Sequence, residues 1–191
     1  MRKMKKSALV ISVLLLCSCA TANTGVLYSV AECPVAIREK AVYFAQEYLK
    51  RNALFEWGGR DFLEKDGILE VDCSGLIVRV FQYAVRESRY TLLFKDTNVS
   101  SLYEYFTIQV DKPSPGDLIF MSTNNIYPTH MSIFTGMDDE NIFFIDSTLK
   151  EDDGIFGVTL RSYKKDDPRF LSYARLLVRI KSSELKRGAD K

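Results

Sequence analysis

The chain has 191 residues, of which 47% are hydrophobic and 27% charged, a composition that fits one ordinary globular domain and excludes a disordered or fibrous protein. Its formal net charge is +1, but four of its 26 basic residues lie in the first six positions. Without that segment, 22 basic residues face 25 acidic ones, and the net charge is about −3. A mildly acidic domain lacks the basic face typical of nucleic-acid binders, so we expect no nucleic-acid partner.

The N-terminus has the pattern of an export signal. Its basic residues are followed by an uncharged apolar run at residues 7–16, which is shorter than the roughly 20 apolar residues of a permanent membrane span. The run ends in LCSC at residues 16–19, which resembles a bacterial lipobox. The resemblance implies cleavage before Cys19 and attachment of acyl chains, such as palmitate, to that residue. Cys19 fits better than Cys17, because the small Ser18 precedes it.

These observations divide the chain into four segments. We expect a signal peptide at residues 1–18, a lipidated tether at 19–33, a single domain at 34–180 and a charged tail at 181–191. An ordinary signal peptide, cleaved a few residues later, is the alternative for the N-terminus. In both cases the mature chain is exported, and lipidation would anchor it to a membrane. In a cell with two membranes we expect the outer one, with the domain facing the periplasm.

The domain begins with helical patterns and continues with strand patterns. Pro34 opens a run with apolar residues at helical spacing, a second helix is predicted to start at Asp72, and residues 100–106 allow a short third helix. Five apolar runs separated by turn residues then predict strands at 117–122, 130–135, 141–147, 158–163 and 173–180. Helices followed by strands indicate an α+β domain, with helices packed on a central antiparallel sheet of about five strands.

One cysteine lies where a helix is predicted to begin. Asp72 is a good N-cap, so Cys73 would occupy the first helical turn, where the helix dipole and free N–H groups stabilise a thiolate. A buried structural cysteine is the alternative interpretation. In an oxidising compartment Cys33 could pair with Cys73, although the position of Cys73 favours a free thiol, and we assign Cys33 no role.

A cysteine nucleophile needs a base, usually histidine, and a third group that orients the imidazole. The chain contains a single histidine, His130, at the start of a predicted strand. Asp146 ends the next predicted strand and could reach the same end of the sheet, where a carboxylate would favour the imidazolium. A surface histidine and a turn aspartate are the alternatives. Because the sequence has neither a His/Cys metal cluster nor a glycine-rich phosphate loop, we expect no metal and no cofactor.

Four motifs in order resemble the NlpC/P60 family, the papain-like cysteine peptidases of bacterial cell walls. They are FEWGG at 55–59, DCSGL at 72–76, PGDLIF at 115–120 and HMSIF at 130–134. The resemblance covers about residues 36–163 and implies a papain-like fold. It implies Cys73 as nucleophile, His130 as base and Asp146 as the third catalytic residue. It also implies that Asp72 and Ser74 contact the amino end of the substrate.

The resemblance further implies hydrolysis of a peptide bond in peptidoglycan stem peptides, usually between a D-γ-glutamyl residue and a diamino acid such as meso-diaminopimelate. Phe55 and Trp57 are then expected among the substrate-binding residues. Three departures from the family pattern stand out. Phe55 occupies a position that is commonly Tyr, Asp146 one that is often His, and the segment at residues 60–71 is longer than usual. The change at Phe55 bears on recognition of the substrate's amino end more than on the chemistry.

Two other functions stay open at this point. A lipoprotein could keep the fold in order to bind cell-wall peptides or a partner protein, which would explain Phe55 and the long segment. A related thiol enzyme, such as an amidase or acyltransferase, could use the same residues on another acyl group. In each case we expect a monomer.

Overall fold

The structure is a computed structural model, and it describes residues 29–180. The predicted signal peptide, the predicted lipidation site Cys19 and the predicted C-terminal tail lie outside the described residues. Within residues 29–180, no helix combines the length and the apolar character that a membrane crossing requires.

The two long helices start where the sequence predicts. Helix α1, Val35–Lys50, follows Pro34, and helix α2, Cys73–Val85, follows Asp72. The buried apolar residues of α1 recur every three or four positions and so share one face: Ile37, Ala41, Ala45 and Tyr48. Helix α2 is buried almost throughout, because α1 packs on one side of it and the sheet on another. In place of the predicted third helix there is a three-residue helix, α3 at Val99–Ser101, followed by a π-helical turn at Leu102–Phe106.

The helices pack against an antiparallel sheet whose strands differ in length. Its strands within residues 29–180 are β1 Val30–Glu32, β2 Tyr90–Leu92, β3 Thr107–Gln109, β4 Leu118–Met121, β5 His130–Met137, β6 Asn141–Lys150, β7 Ile155–Lys164 and β8 Phe170–Ile180. The order is β1-β8-β4-β5-β6-β7, and β2 and β3 pair with β8 as well. The α+β class with a central antiparallel sheet is confirmed, but the number of about five strands was wrong, since the sheet has eight within the described residues. The three missed strands have three residues each, too few to show a period of two.

The domain begins earlier than the predicted boundary at residue 34. Strand β1 lies inside the range predicted as tether and pairs with β8, with Val30 opposite Arg179. The backbone N–H of Cys33 donates to the carbonyl of Leu176 at 2.8 Å. The last residues of the predicted tether are therefore part of the sheet edge.

A buried ion cluster joins α1 to the middle of the sheet. Asp117, directly before β4, is fully buried and accepts hydrogen bonds from Arg38 of α1 at 3.1 Å and from Arg175 of β8 at 2.9 and 3.0 Å. Apolar side chains pack on both sides of the sheet. The larger core lies between the helices and the sheet, and a smaller cluster around Phe144 covers the opposite face. Together they hold β4, β5 and β6 in a fixed register beneath α2.

Candidate active site

The start of α2 is held by Asp72, the residue before the cysteine. One of its carboxylate oxygens accepts from the N–H of Gly75 at 2.5 Å and from the hydroxyl of Ser74 at 2.9 Å. Its other oxygen accepts from the N–H of Gly58 at 3.0 Å. Asp72 therefore caps the helix and also fastens the preceding loop to it. Cys73 is the first helical residue, as predicted, and is 7% exposed.

Two glycines bring that loop against the helix. A Cβ atom added to Gly75 would lie 2.1 Å from the carbonyl oxygen of Gly59, so a larger residue at 75 would push the loop away. The same carbonyl accepts the N–H of Asp72 at 3.0 Å. This close crossing explains in physical terms why the first two sequence motifs contain glycine, and it positions residues 55–59 beside Cys73.

His130 lies at the start of β5 and contacts both of its predicted partners. Its Nε2 lies 2.5 Å from Oδ2 of Asp146, and the Cys73 side chain is near enough to the ring to help raise its pKa. Because Asp146 occupies Nε2, the other ring nitrogen, Nδ1, is the one available to the thiol. The His130 side chain is 23% exposed, whereas that of Asp146 is fully buried. The structure thus brings Cys73, His130 and Asp146 into one line, with a hydrogen bond between His130 and Asp146.

Asp146 lies inside its strand, which corrects the prediction that it ends the strand. Strand β6 continues to Lys150, and Asp146 pairs with Thr159 of β7. The next residue, Ser147, is also buried, and its hydroxyl donates to the carbonyl of Val71 at 2.6 Å. Since the β6–β7 hairpin extends beyond Asp146, the carboxylate is closed off from water and needs partners within the protein.

Arg161 of β7 is the partner that the sequence interpretation missed. Its Nε donates to Oδ1 of Asp146 at 3.0 Å, and a terminal nitrogen donates to Oδ2. Only 9% of the Arg161 side chain is exposed. A cationic partner for Asp146 could have been predicted from the sequence, because a buried aspartate needs one and β7 is the neighbouring strand. The register that selects Arg161 over other basic residues, however, is a property of the paired hairpin.

The charges around Asp146 and His130 set the protonation states of these two side chains. Burial by itself would raise the pKa of Asp146, but the contacts with His130 and Arg161 outweigh burial and hold this pKa below its usual range. Burial would likewise lower the pKa of His130, yet the interactions with Asp146 and Cys73 raise it to about 9. At neutral pH the ring is therefore an imidazolium, the kind of neighbour that favours a thiolate nucleophile.

The second described cysteine has a different environment. Cys33 is 2% exposed, and burial raises its pKa to about 12 despite the opposing charge of Arg38. Within residues 29–180 both Cys33 and Cys73 are free thiols, so the disulfide that an oxidising compartment could form is not present here. Cys33 is a packed, unreactive thiol in this structure.

The predicted substrate-binding residues divide into two kinds. Asp72 and Ser74 are buried and hydrogen-bond to each other, so in this structure they support the start of α2. Trp57 is 79% exposed, and its ring meets that of Phe55 edge-on with centroids 5.2 Å apart. The N–H of Phe55 donates to the carbonyl of Phe156 in β7 at 2.8 Å. Trp57 is therefore open to a ligand and Phe55 is half-buried beside it, while substrate contacts of all four residues stay a prediction.

The long segment at residues 60–71 is ordered by contacts with both helices. The hydroxyl of Tyr48 in α1 donates to the carbonyl of Asp61 at 2.6 Å, and the N–H of Leu63 donates to the hydroxyl of Tyr83 in α2 at 2.7 Å. The extra residues thus pack on the helical side of the domain. Among the described residues there is no group of three or more histidine, cysteine, aspartate or glutamate side chains that could hold a metal ion.

Comparison with models of known protein families gives a match over most of the domain. The family model of the NlpC/P60 family matches residues 52–165, a range that contains Cys73, His130, Asp146 and Arg161. No curated protein matches the chain. The family implies the papain-like arrangement seen here, with a helix N-terminus facing an antiparallel sheet, and a cell-wall function of the peptidase type. Since the match covers more than half of the chain, the protein belongs to the NlpC/P60 family.

Proposed function

We propose that the protein is a cysteine endopeptidase that hydrolyses a peptide bond in the stem peptides of peptidoglycan. The observation that carries the proposal is the line from Cys73 through His130 to Asp146, at a helix N-terminus in a domain of this family. The loop that carries Phe55 and Trp57 is fastened to Asp72 at the start of α2, and we expect a peptide to approach the thiol from that side. The same line would serve any acyl transfer, so the substrate class rests on the family.

The first half of the reaction forms an acyl-enzyme. The Cys73 thiolate attacks the scissile carbonyl carbon, and backbone N–H groups at the start of α2 that do not bond Asp72 would stabilise the oxyanion. His130, as imidazolium, then donates its proton to the leaving nitrogen while the C–N bond breaks. The amine product leaves, the acyl group remains on the sulfur, and His130 is neutral.

The second half restores the enzyme. Neutral His130 takes a proton from water as the water oxygen attacks the thioester carbonyl, and the Cys73 thiolate leaves as the carboxylic acid product forms. Asp146 holds the imidazole in the orientation that presents Nδ1 to the sulfur, and Arg161 balances the charge of the buried carboxylate. The thiolate and imidazolium are then ready for another cycle.

For the bond, we propose the one between the D-γ-glutamyl residue and the diamino acid, as the family resemblance implies. Phe55 lacks the hydroxyl that the family commonly has at this position, so recognition of the amino end has to depend more on Trp57 and the apolar ring of Phe55 itself. We also propose an exported enzyme anchored by lipid on Cys19. The basic residues, short apolar run and LCSC pattern of the N-terminus support this proposal.

The test is digestion of purified muropeptides by the full-length protein in detergent, with products identified by mass. Wild type and Cys33→Ala should release the same fragments, because the thiol of Cys33 is buried away from the site, and Cys73→Ala should release none. An electrophile should label Cys73 faster than Cys33 at neutral pH. If wild type cleaves nothing but Cys73 is labelled preferentially, the acyl substrate is a different one. If neither occurs, the domain is a binding module.

A further inference from the structure

A recess of about 230 Å³ opens beside the ring of His130, on the side where Arg161 lies. It is formed by the ends of β4 and β5 together with β6 and β7. Three of its lining residues are cationic, Lys150, Arg161 and Arg169, and among the described residues that line it none is acidic. Several hydroxyl groups complete the wall, among them that of Tyr163.

The three cations converge on Tyr163. Lys150 Nζ donates to its hydroxyl at 2.9 Å, and a terminal nitrogen of Arg161 donates to the same oxygen at 2.5 Å. The guanidinium of Arg169 lies 3.6 Å from the centroid of its ring. Three positive charges around one neutral side chain repel one another, and an anion placed among them would relieve that repulsion.

The carboxylates near these cations do not fill the recess. Asp146 holds Arg161 from the buried side, and Asp167 holds Arg169 at 2.6 and 2.8 Å from outside the lining. Asp153 lies 3.7 Å from Lys150 and is 60% exposed, and an ion pair of this kind is weak in water. Lys150 and Arg169 are 30% and 43% exposed, so both can turn to a ligand without unfolding the strands.

The position of the recess indicates which part of the substrate can enter it. In the proposed mechanism His130 protonates the leaving nitrogen, so the residue that departs as the amine must lie against the His130 ring. The recess starts at that same ring. We propose that the recess is a specificity site that binds a carboxylate on the residue released as the amine. The inference rests on the proposed peptidase function, and it means that Lys150 and Arg169 select a diamino acid with a free side-chain carboxylate.

Two matched peptides test this assignment. One is L-alanyl-γ-D-glutamyl-meso-diaminopimelate, and the other is the same peptide with its side-chain carboxylate amidated, which preserves shape and removes the charge. The wild-type full-length protein should cleave the acid with a kcat/KM about tenfold or more above that of the amide, the effect of one charge-assisted hydrogen bond. The double variant Lys150→Gln and Arg169→Gln should bring this ratio close to one. Lys164→Gln, an exposed lysine next to Tyr163 and outside the recess, should keep the wild-type ratio.

The outcomes separate the two proposals. If the wild type cleaves neither peptide, the proposed function fails. If it cleaves both equally, or if the double variant keeps the preference for the acid, the assignment of the recess is wrong and the peptidase proposal stands. Should the double variant fail to fold, the single variants Lys150→Gln and Arg169→Gln are each expected to lower the ratio, and an unchanged ratio in both would overturn the assignment.

Discussion

Two aspartates in this domain, Asp117 and Asp146, are fully buried, and each is held by two cationic side chains. Asp117 lies between Arg38 of α1 and Arg175 of β8, and Asp146 lies between His130 of β5 and Arg161 of β7. Both clusters connect separate elements, so both satisfy the requirement that a buried charge be paired.

The difference between the clusters is one side chain. Arginine stays protonated at every pH that proteins experience, so the two cations of the Asp117 cluster keep their charge, and the cluster only holds the fold together. In the Asp146 cluster one arginine is replaced by a histidine, which can release its proton and which also contacts Cys73. One titratable partner thus converts a structural ion cluster into a unit that can move a proton, and the following predictions test that distinction.

The largest expected effect is on catalysis at Asp146. Asp146→Asn keeps the size of the side chain but removes the charge that favours the imidazolium, so kcat should fall about 10²- to 10⁴-fold. Rates of muropeptide cleavage measure this change, with Asp166→Asn, an exposed aspartate, as a control that should retain wild-type rates. A rate within threefold of wild type would show that Asp146 does not orient His130.

The corresponding change at Asp117 should act on stability. Asp117→Asn leaves Arg38 and Arg175 without their buried counter-charge, and we expect the free energy of unfolding to fall by about 3–5 kcal/mol. Urea denaturation measures the loss, and Asp166→Asn should change it by less than about 0.5 kcal/mol. A loss below about 1 kcal/mol for Asp117→Asn would mean that the cluster is not needed to hold α1 on the sheet.

The two clusters should also differ in how stability depends on pH. The contacts of His130 raise its pKa from an ordinary value of 6.5 to about 9, so the folded state binds this proton more tightly than the unfolded state does. The resulting stabilisation, up to about 3 kcal/mol, is fully present below pH 6.5 and is lost as the pH rises through 9. Urea titrations between pH 6 and about 8.5, below the range in which the raised pKa of Cys33 also contributes, should show most of the decline, and His130→Gln should abolish it. An equal decline in that variant would place its origin elsewhere.

The smallest effect is expected at Arg161. Arg161→Met removes a positive charge near the ring, so Asp146 acts on His130 alone and the pKa of His130 should rise above about 9, with kcat reduced roughly tenfold. Because His130 is the only histidine in the chain, its NMR titration is unambiguous, and the alkaline limb of the activity profile should move with it. Arg161→Lys should restore part of both. A His130 pKa unchanged in Arg161→Met would leave Arg161 with a purely structural role.

Sequence by itself was sufficient where the decisive contacts are local. The start of α2 follows from Asp72 and the apolar spacing after it, since a capping interaction spans only three residues. Because the chain has a single histidine, His130 was the candidate for the catalytic base. The order of four motifs indicated the family and its fold. The α+β class followed from helical patterns that precede strand patterns.

Only the tertiary structure decided which distant residues meet. The pairing of β6 with β7 places Arg161 against Asp146 and makes Asp146 an interior residue of its strand, and register over a long hairpin cannot be read from either strand alone. The short strands β1, β2 and β3 form because β8 offers them hydrogen-bonding partners, although their own three residues carry no period. The recess beside His130 arises in the same way, since its three cations come from β6, β7 and the turn before β8 and meet only when the sheet brings them around Tyr163.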